Sequence, residues 1–208
     1  MISLDTALAF FGLSILLALA PGPDNIFVLL QSARWGPRAG LAAVSGLCSG
    51  LVVHTAAVAL GVAAVIAASA TAFTVLKVLG AMYLLYLAWQ AWRASGNSTN
   101  QAAPAAAPLG ALYRRGILMS VSNPKLSIFF LAFLPQFIHP EQGSVVMQTI
   151  ELGLLFMLAA FMVFSVIAFC AGSLGRAMAR SPRAERNLNR IASLVFLGLA
   201  IKLVTASR

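Results

Sequence analysis

Charge is what this chain has least of: only 9% of its 208 residues are Asp, Glu, Lys or Arg, while 61% are hydrophobic. Soluble domains carry about 25% charged residues, so that class is excluded and an integral membrane protein is implied. Cysteine and histidine number two each. Cys48, Cys170, His54 and His139 make no metal-ligand spacing, so neither a metal nor a cofactor is expected, and the thiols read as free and structural. Nor do nucleophiles and bases cluster in the apolar stretches, which argues against an intramembrane enzyme built on Asp24 and Lys125. A membrane scaffold or assembly protein would account for packing glycines but not for opposite charges inside apolar runs.

Long apolar runs are present instead. Segments long enough to span, about 20 residues each, occur near Thr6–Leu30, Leu41–Ile66, Ala72–Ala91, Ile117–Phe137, Val145–Gly172 and Ile191–Thr205. Six spans take up most of the chain and leave no soluble domain to carry chemistry, so residues 1–208 form one polytopic unit. Ala18-Leu19-Ala20 resembles a signal-peptide cleavage site. The stretch before the first run holds Asp5 and no Lys or Arg, and Pro21 would follow the cut, so this helix is expected to be retained.

The excess of 14 Lys and Arg over 5 Asp and Glu invites a nucleic-acid reading, but the placement of the cations answers it. Arg34 and Arg38 follow the first span, Arg93, Arg114 and Arg115 flank the connection after the third, and Arg176, Arg180, Arg183, Arg186 and Arg190 crowd that after the fifth. Alternate loops share one face, which the positive-inside rule makes cytoplasmic, with both termini outside. No nucleic-acid partner is needed. Topology also suffices for the five-arginine connection, although such segments bind anionic headgroups at about 1 kcal/mol per cation. Ser181-Pro182 reads as a cap and first helical residue.

The stretch Ala94 to Leu109 is small, polar and interrupted by Pro104 and Pro108, and reads as a flexible loop. It divides the chain into two halves of three spans, about 1–93 and 113–208, with a cytoplasmic loop at about 94–112. An odd number of spans per half makes any repeat inverted. The expected fold is therefore all-α, six transmembrane helices in an inverted 3+3 repeat.

Two spans are interrupted. Pro21-Gly22-Pro23-Asp24 breaks the first and Asn123-Pro124-Lys125 the fourth, and each is followed by an Ile-Phe pair, Ile26-Phe27 and Ile128-Phe129. An interior proline costs about 3 kcal/mol or more. Two at matching places favour a purpose, and broken helices in inverted repeats are a transporter architecture. Asp24 lies ten residues before Arg34, and Lys125 ten after Arg115. At about 1.5 Å per residue both groups fall roughly 15 Å from the arginines, near the middle of a core about 30 Å thick. Ionised groups and freed backbone at that depth line a polar cavity. Asp24 suits an ammonium and Lys125 a carboxylate, the two ends of an amino acid, with Asn25 and Asn123 as neutral partners. Pro21, Gly22, Pro23 and Pro124 are the candidate gating residues. The alternatives are that Asp24 and Lys125 merely neutralise each other, and that each asparagine caps its own helix.

With Pro21-Gly22-Pro23-Asp24-Asn25, a glycine-rich second span, a basic middle loop, Asn123-Pro124-Lys125 opening a Phe-rich span, and Leu134-Pro135-Gln136-Phe137, the chain resembles the LysE-type translocators over its whole length. The resemblance implies proton-driven export of amino acids or related metabolites across the bacterial inner membrane. The substrate stays open. A lysine or arginine exporter would offer further buried anions, and Asp24 is the only acidic residue placed near mid-bilayer, so threonine-like, homoserine-like or branched-chain substrates are slightly favoured.

Gly46 and Gly50 have small-xxx-small spacing, for packing or for a homodimer. His54 is a candidate proton relay with Asp24. Counted from Arg38 it lies about 24 Å along the helix, past mid-depth. Tyr83, Tyr86, Trp89 and Trp92 read as headgroup-level anchors. Glu141 and Glu151 read as solvated.

Overall fold

A computed structural model describes residues 2–68, 70–93, 108–180 and 182–205, which are mostly helical with no strand among them. Residues 94–107, most of the predicted flexible loop, lie outside that description. Helix α1 (Leu4–Leu19) is capped by Ser3, whose hydroxyl accepts from the Thr6 N–H. The chain then turns by 62° into α2 (Pro23–Trp35). Pro21 and Pro23 cannot donate to the preceding turn, so the ladder stops here, and Pro23 is preset to begin a new helix. Gly36 ends α2 at φ 81°, a left-handed conformation that glycine adopts without a Cβ penalty, and Pro37 starts α3 (Pro37–Ala68). Helix α4 is Ala70–Arg93.

The second break repeats this chemistry. Helix α5 (Leu109–Val121) meets α6 (Pro124–Ile128) at 48°, with Asn123 as N-cap and Pro124 as first residue. The helix runs on as a π-turn over Phe129–Phe133 and a 3₁₀ turn over Leu134–Phe137. Such widened turns favour functional sites. Gln148 pins the following loop, donating to the His139 and Gly143 carbonyls and accepting from the His139 N–H. Helix α7 is Val145–Arg180, and α8 is Pro182–Thr205, opening on the predicted proline.

By length and apolar composition, two helices suffice to cross a membrane among the described residues, Pro37–Gly61 and Val145–Ala171. Each bent pair passes as one span, making up to four. Helices α4 and α8 contain shorter apolar stretches.

Helix α3 packs along α5, α4 along α8, and α7 against α1, α2 and α3. Glycine decides how close α3 and α5 come. A Cβ on Gly46 would overlap the Tyr113 carbonyl oxygen, one on Gly50 would lie 2.5 Å from the Ser120 Cβ, and one on Gly116 would lie 2.6 Å from the Ala43 oxygen. The small-xxx-small spacing therefore serves this internal seam. At the end away from the arginines, the core is aromatic. Phe10 meets Phe137 at 5.1 Å, Phe129 meets Phe133 at 5.1 Å, and Phe156 packs on both Phe129 and Phe130 at 5.2 Å.

Candidate functional site

The two breaks meet, and each supplies what the other lacks. A helix end leaves carbonyls unpaired, and in an apolar surround each must find a donor. At the end of α1, Leu16 O accepts from the Ala20 N–H, Ala18 O from the Asn25 side chain at 2.7 Å, and Leu17 O and Ala20 O from Lys125 Nζ at 3.5 and 3.3 Å. Lys125 thus comes from the fourth predicted span to cap the broken helix of the first. Gly22 admits it, since a Cβ there would stand 3.1 Å from Nζ.

Asn123 works in the opposite direction. Its Oδ1 caps α6 by accepting the Lys125 N–H at 3.0 Å, while its Nδ2 donates to Asp24 Oδ2 at 2.7 Å. Asp24 is fully buried, Asn123 is 3% exposed and Lys125 is 4% exposed. The carboxylate and ammonium do not form an ion pair within 4 Å. Asp24 Oδ1 is buried with no hydrogen-bond partner. Both Nζ contacts are long and therefore weak, and an ammonium has three donors. The site holds unspent capacity of both signs.

Two cavities adjoin it. A small one of about 10 Å³ is bordered by Asp24, Ser120 and Lys125 among Leu and Phe side chains. A second, open cavity of about 450 Å³ is lined by Lys125, Asn123 and the prolines and glycine of the breaks, and across from them by Tyr83, Gln90, Asn189 and Phe196. It runs to the arginine-bearing end, for Gln90 lies three residues before Arg93 and Asn189 adjoins Arg190. Lys125 borders both cavities.

Of the predicted site residues, Asp24, Asn123, Lys125, Pro21, Gly22, Pro23 and Pro124 come together. Asn25 lines neither cavity, because its amide is turned back onto α1. His54 is 8% exposed, with Nε2 3.0 Å from the Ser120 carbonyl and its ring on Phe130 at 5.6 Å. It stands within a turn of the second break. Helix α5 is offset along α3, for the Gly46 contact with Tyr113 sets Arg115 well up the helix from Arg38.

Tyr83 is not an interfacial anchor but a cavity wall, while Tyr86, Trp89 and Trp92 stand exposed, with Arg93 over Trp89 and Arg190 over Trp92. Gln90, Asn189 and Ser120 were not anticipated. Tyr83, Leu87 and Gln90 fall at i, i+4 and i+7, the spacing of one helix face, which was a usable signal. Glu151 is half-buried and accepts the Ile2 N–H at 2.8 Å, so it ties down the N-terminal segment rather than facing solvent. Neither Cys48 nor Cys170 is in a disulfide.

An uncharacterized membrane protein of Vibrio cholerae is 34% identical over 96% of this chain and 96% of its own. The homoserine/homoserine lactone efflux protein of Salmonella typhimurium is 31% identical over 95% of each chain. A leucine efflux protein of Enterobacter is 28% identical over 91% of this chain and 90% of its own. No solved structure matches. The family model described as LysE type translocator matches residues 15–207, and the chain belongs to that family of membrane transporters, not to a family of enzymes.

Proposed function

We propose that the protein exports neutral amino acids or close metabolites from the bacterial cytoplasm in exchange for protons, through six spans arranged as an inverted repeat. The observation that carries this is the open cavity of about 450 Å³ that ends on Lys125 at the paired breaks, while aromatic packing closes the opposite end. With the arginine-bearing end cytoplasmic, the structure is open inward and sealed outward, a starting state for export.

Pairing of the helices supports the repeat. Exchanging the two halves turns the α3–α5 packing into α7–α1, and returns α3–α7 and α4–α8 to themselves, and all of these pairs are in contact. Each half also places a proline-initiated helix at its break.

Binding follows from the capacity left at the site. A substrate carboxylate entering the vestibule offers Lys125 a charged acceptor in place of two long contacts to neutral carbonyls, and charge-assisted bonds are about twice as strong. Releasing Ala20 and Leu17 uncouples the corner between α1 and α2, where Pro21, Gly22 and Pro23 act as the hinge. The substrate ammonium then meets Asp24, which Asn123 orients. A proton and an ammonium compete for that carboxylate, and the competition yields exchange, with His54 as a relay beside Ser120. Among the described residues, Lys125 is the only charged side chain lining the vestibule, which supports a neutral substrate side chain. The named substrates of the relatives, homoserine and leucine, fit that description.

The test is uptake into proteoliposomes under an imposed pH gradient, with labelled leucine, homoserine, threonine, lysine and arginine. Gradient-driven flux of the neutral members is expected; flux of lysine alone, or none with any member, would refute the proposal.

A further inference from the structure

We propose that Ser120 and Asp24 together form a single-water proton site, and that Ser120 positions the proton on Asp24 Oδ1. This deepens the exchange reading above and rests on it. Both side chains are fully buried, Asp24 Oδ1 and Ser120 Oγ each lack a hydrogen-bond partner, and both residues border the small cavity of about 10 Å³. A buried polar atom without a partner is costly, and two on residues that border one small space point to a shared ligand. The volume is about that required for one water, which also needs at least two polar partners. A hard cation takes about six oxygen ligands, whereas the remaining walls are hydrocarbon: Leu17 and Ala18 from α1, Leu47 and Leu51 from α3, Phe156 and Ala160 from α7.

The division of the carboxylate makes the assignment specific. Oδ2 is taken by Asn123, so only Oδ1 is free for a proton. The charged and titratable groups facing Asp24 are Lys125 on α6 and His54 on α3, while α1 and α7 present apolar side chains to the cavity. His54 bonds to the backbone oxygen of Ser120, so removing the hydroxyl leaves that contact in place. Ser120 is thus a positioning residue that acts through a water on Asp24. Its Cβ is fixed against α3, because Gly50 leaves no room between the helices.

Infrared titration of the purified full-length protein in detergent tests this, with the Asp24 carboxyl band isolated by subtracting Asp24→Asn. The band is expected to titrate with pH and to ignore sodium. In Ser120→Ala, loss of one hydrogen bond to the ionised carboxylate makes Asp24 hold its proton about tenfold more tightly. Ser32→Ala removes another buried, unpartnered hydroxyl that borders neither cavity and leaves the titration unchanged. An unaltered titration in Ser120→Ala, or a band in the unmodified protein that responds to sodium or is insensitive to pH, overturns the assignment. The last two readings need only the unmodified protein and the Asp24→Asn reference, not Ser120→Ala. Gradient-driven flux with an unaltered Ser120→Ala titration would sink this site alone; absent flux with the expected titration would sink the exchange reading alone.

Discussion

Replacing Lys125 by methionine separates structural from transport roles most sharply, because the side chain serves both. Met keeps the length and apolar stem and deletes the ammonium. On the structural side, two contacts of 3.3 and 3.5 Å to Ala20 O and Leu17 O are lost. Bonds that long are weak, and removing a cation that is 4% exposed also removes its desolvation cost. The net change in stability is therefore small, about 1 kcal/mol in either direction. On the transport side, the substrate carboxylate loses its cationic partner in the vestibule. Deleting one member of a buried charged pair costs about 2–5 kcal/mol, and 3 kcal/mol is about a hundredfold in affinity. Proteoliposome flux and thermal melting, measured on the same preparation, should show flux down about a hundredfold with a melting temperature within a few degrees of wild type. Flux within threefold of wild type would refute the role of Lys125, and unfolding at room temperature would show that its capping bonds were undervalued.

Asn123→Ala removes both the α6 cap and the donor to Asp24, so it should cost about 1–3 kcal/mol of stability by denaturation and lower flux, whereas Asn123→Ser retains the cap and recovers stability but not flux. Gly46→Val places side-chain atoms on the Tyr113 carbonyl, and overpacking of that kind costs about 1–3 kcal/mol or more; reduced melting temperature or failed expression is the expected readout, whereas Gly12→Val, where a Cβ meets nothing within 4 Å, should be silent. Tyr83→Phe deletes a vestibule hydroxyl and should change KM among neutral substrates with little change in stability. A reporter at Ala103 should be cytoplasmic; finding it outside would invert the direction of transport.

The breaks were legible because proline inside an apolar run has few meanings in a bilayer, and Asn before Pro is the ordinary grammar of an N-cap. Membership in a transporter family was legible for the same reason, since the motifs lie where helices must stop. What Asp24 and Lys125 bond to was not. Which carbonyls Lys125 reaches depends on the two spans crossing at Gly22, and spacing within one span says nothing of that. Asn25 and Asn123 looked equivalent, yet one folds back on its own break and the other reaches across. Tyr83 was hidden by its neighbours, because aromatics ending beside Arg93 resemble a headgroup belt. The π-turn at Phe129–Phe133 has no local signature in a run of phenylalanine and leucine. Residue counting brought Asp24 and Lys125 to one level but did not bring His54 beside Ser120, since it takes every arginine as the same level and α5 is offset along α3.

The account stands on a substrate path that enters at the arginine-bearing end and stops at Lys125, and chemical labelling examines that path directly. With Cys48 and Cys170 replaced by serine, Gln90→Cys places one thiol on the vestibule wall. In vesicles of known orientation, a membrane-impermeant thiol reagent should react from the cytoplasmic side, and saturating neutral amino acid should slow the reaction. Labelling only from the outer side, or a rate indifferent to every amino acid that the protein transports, would contradict it.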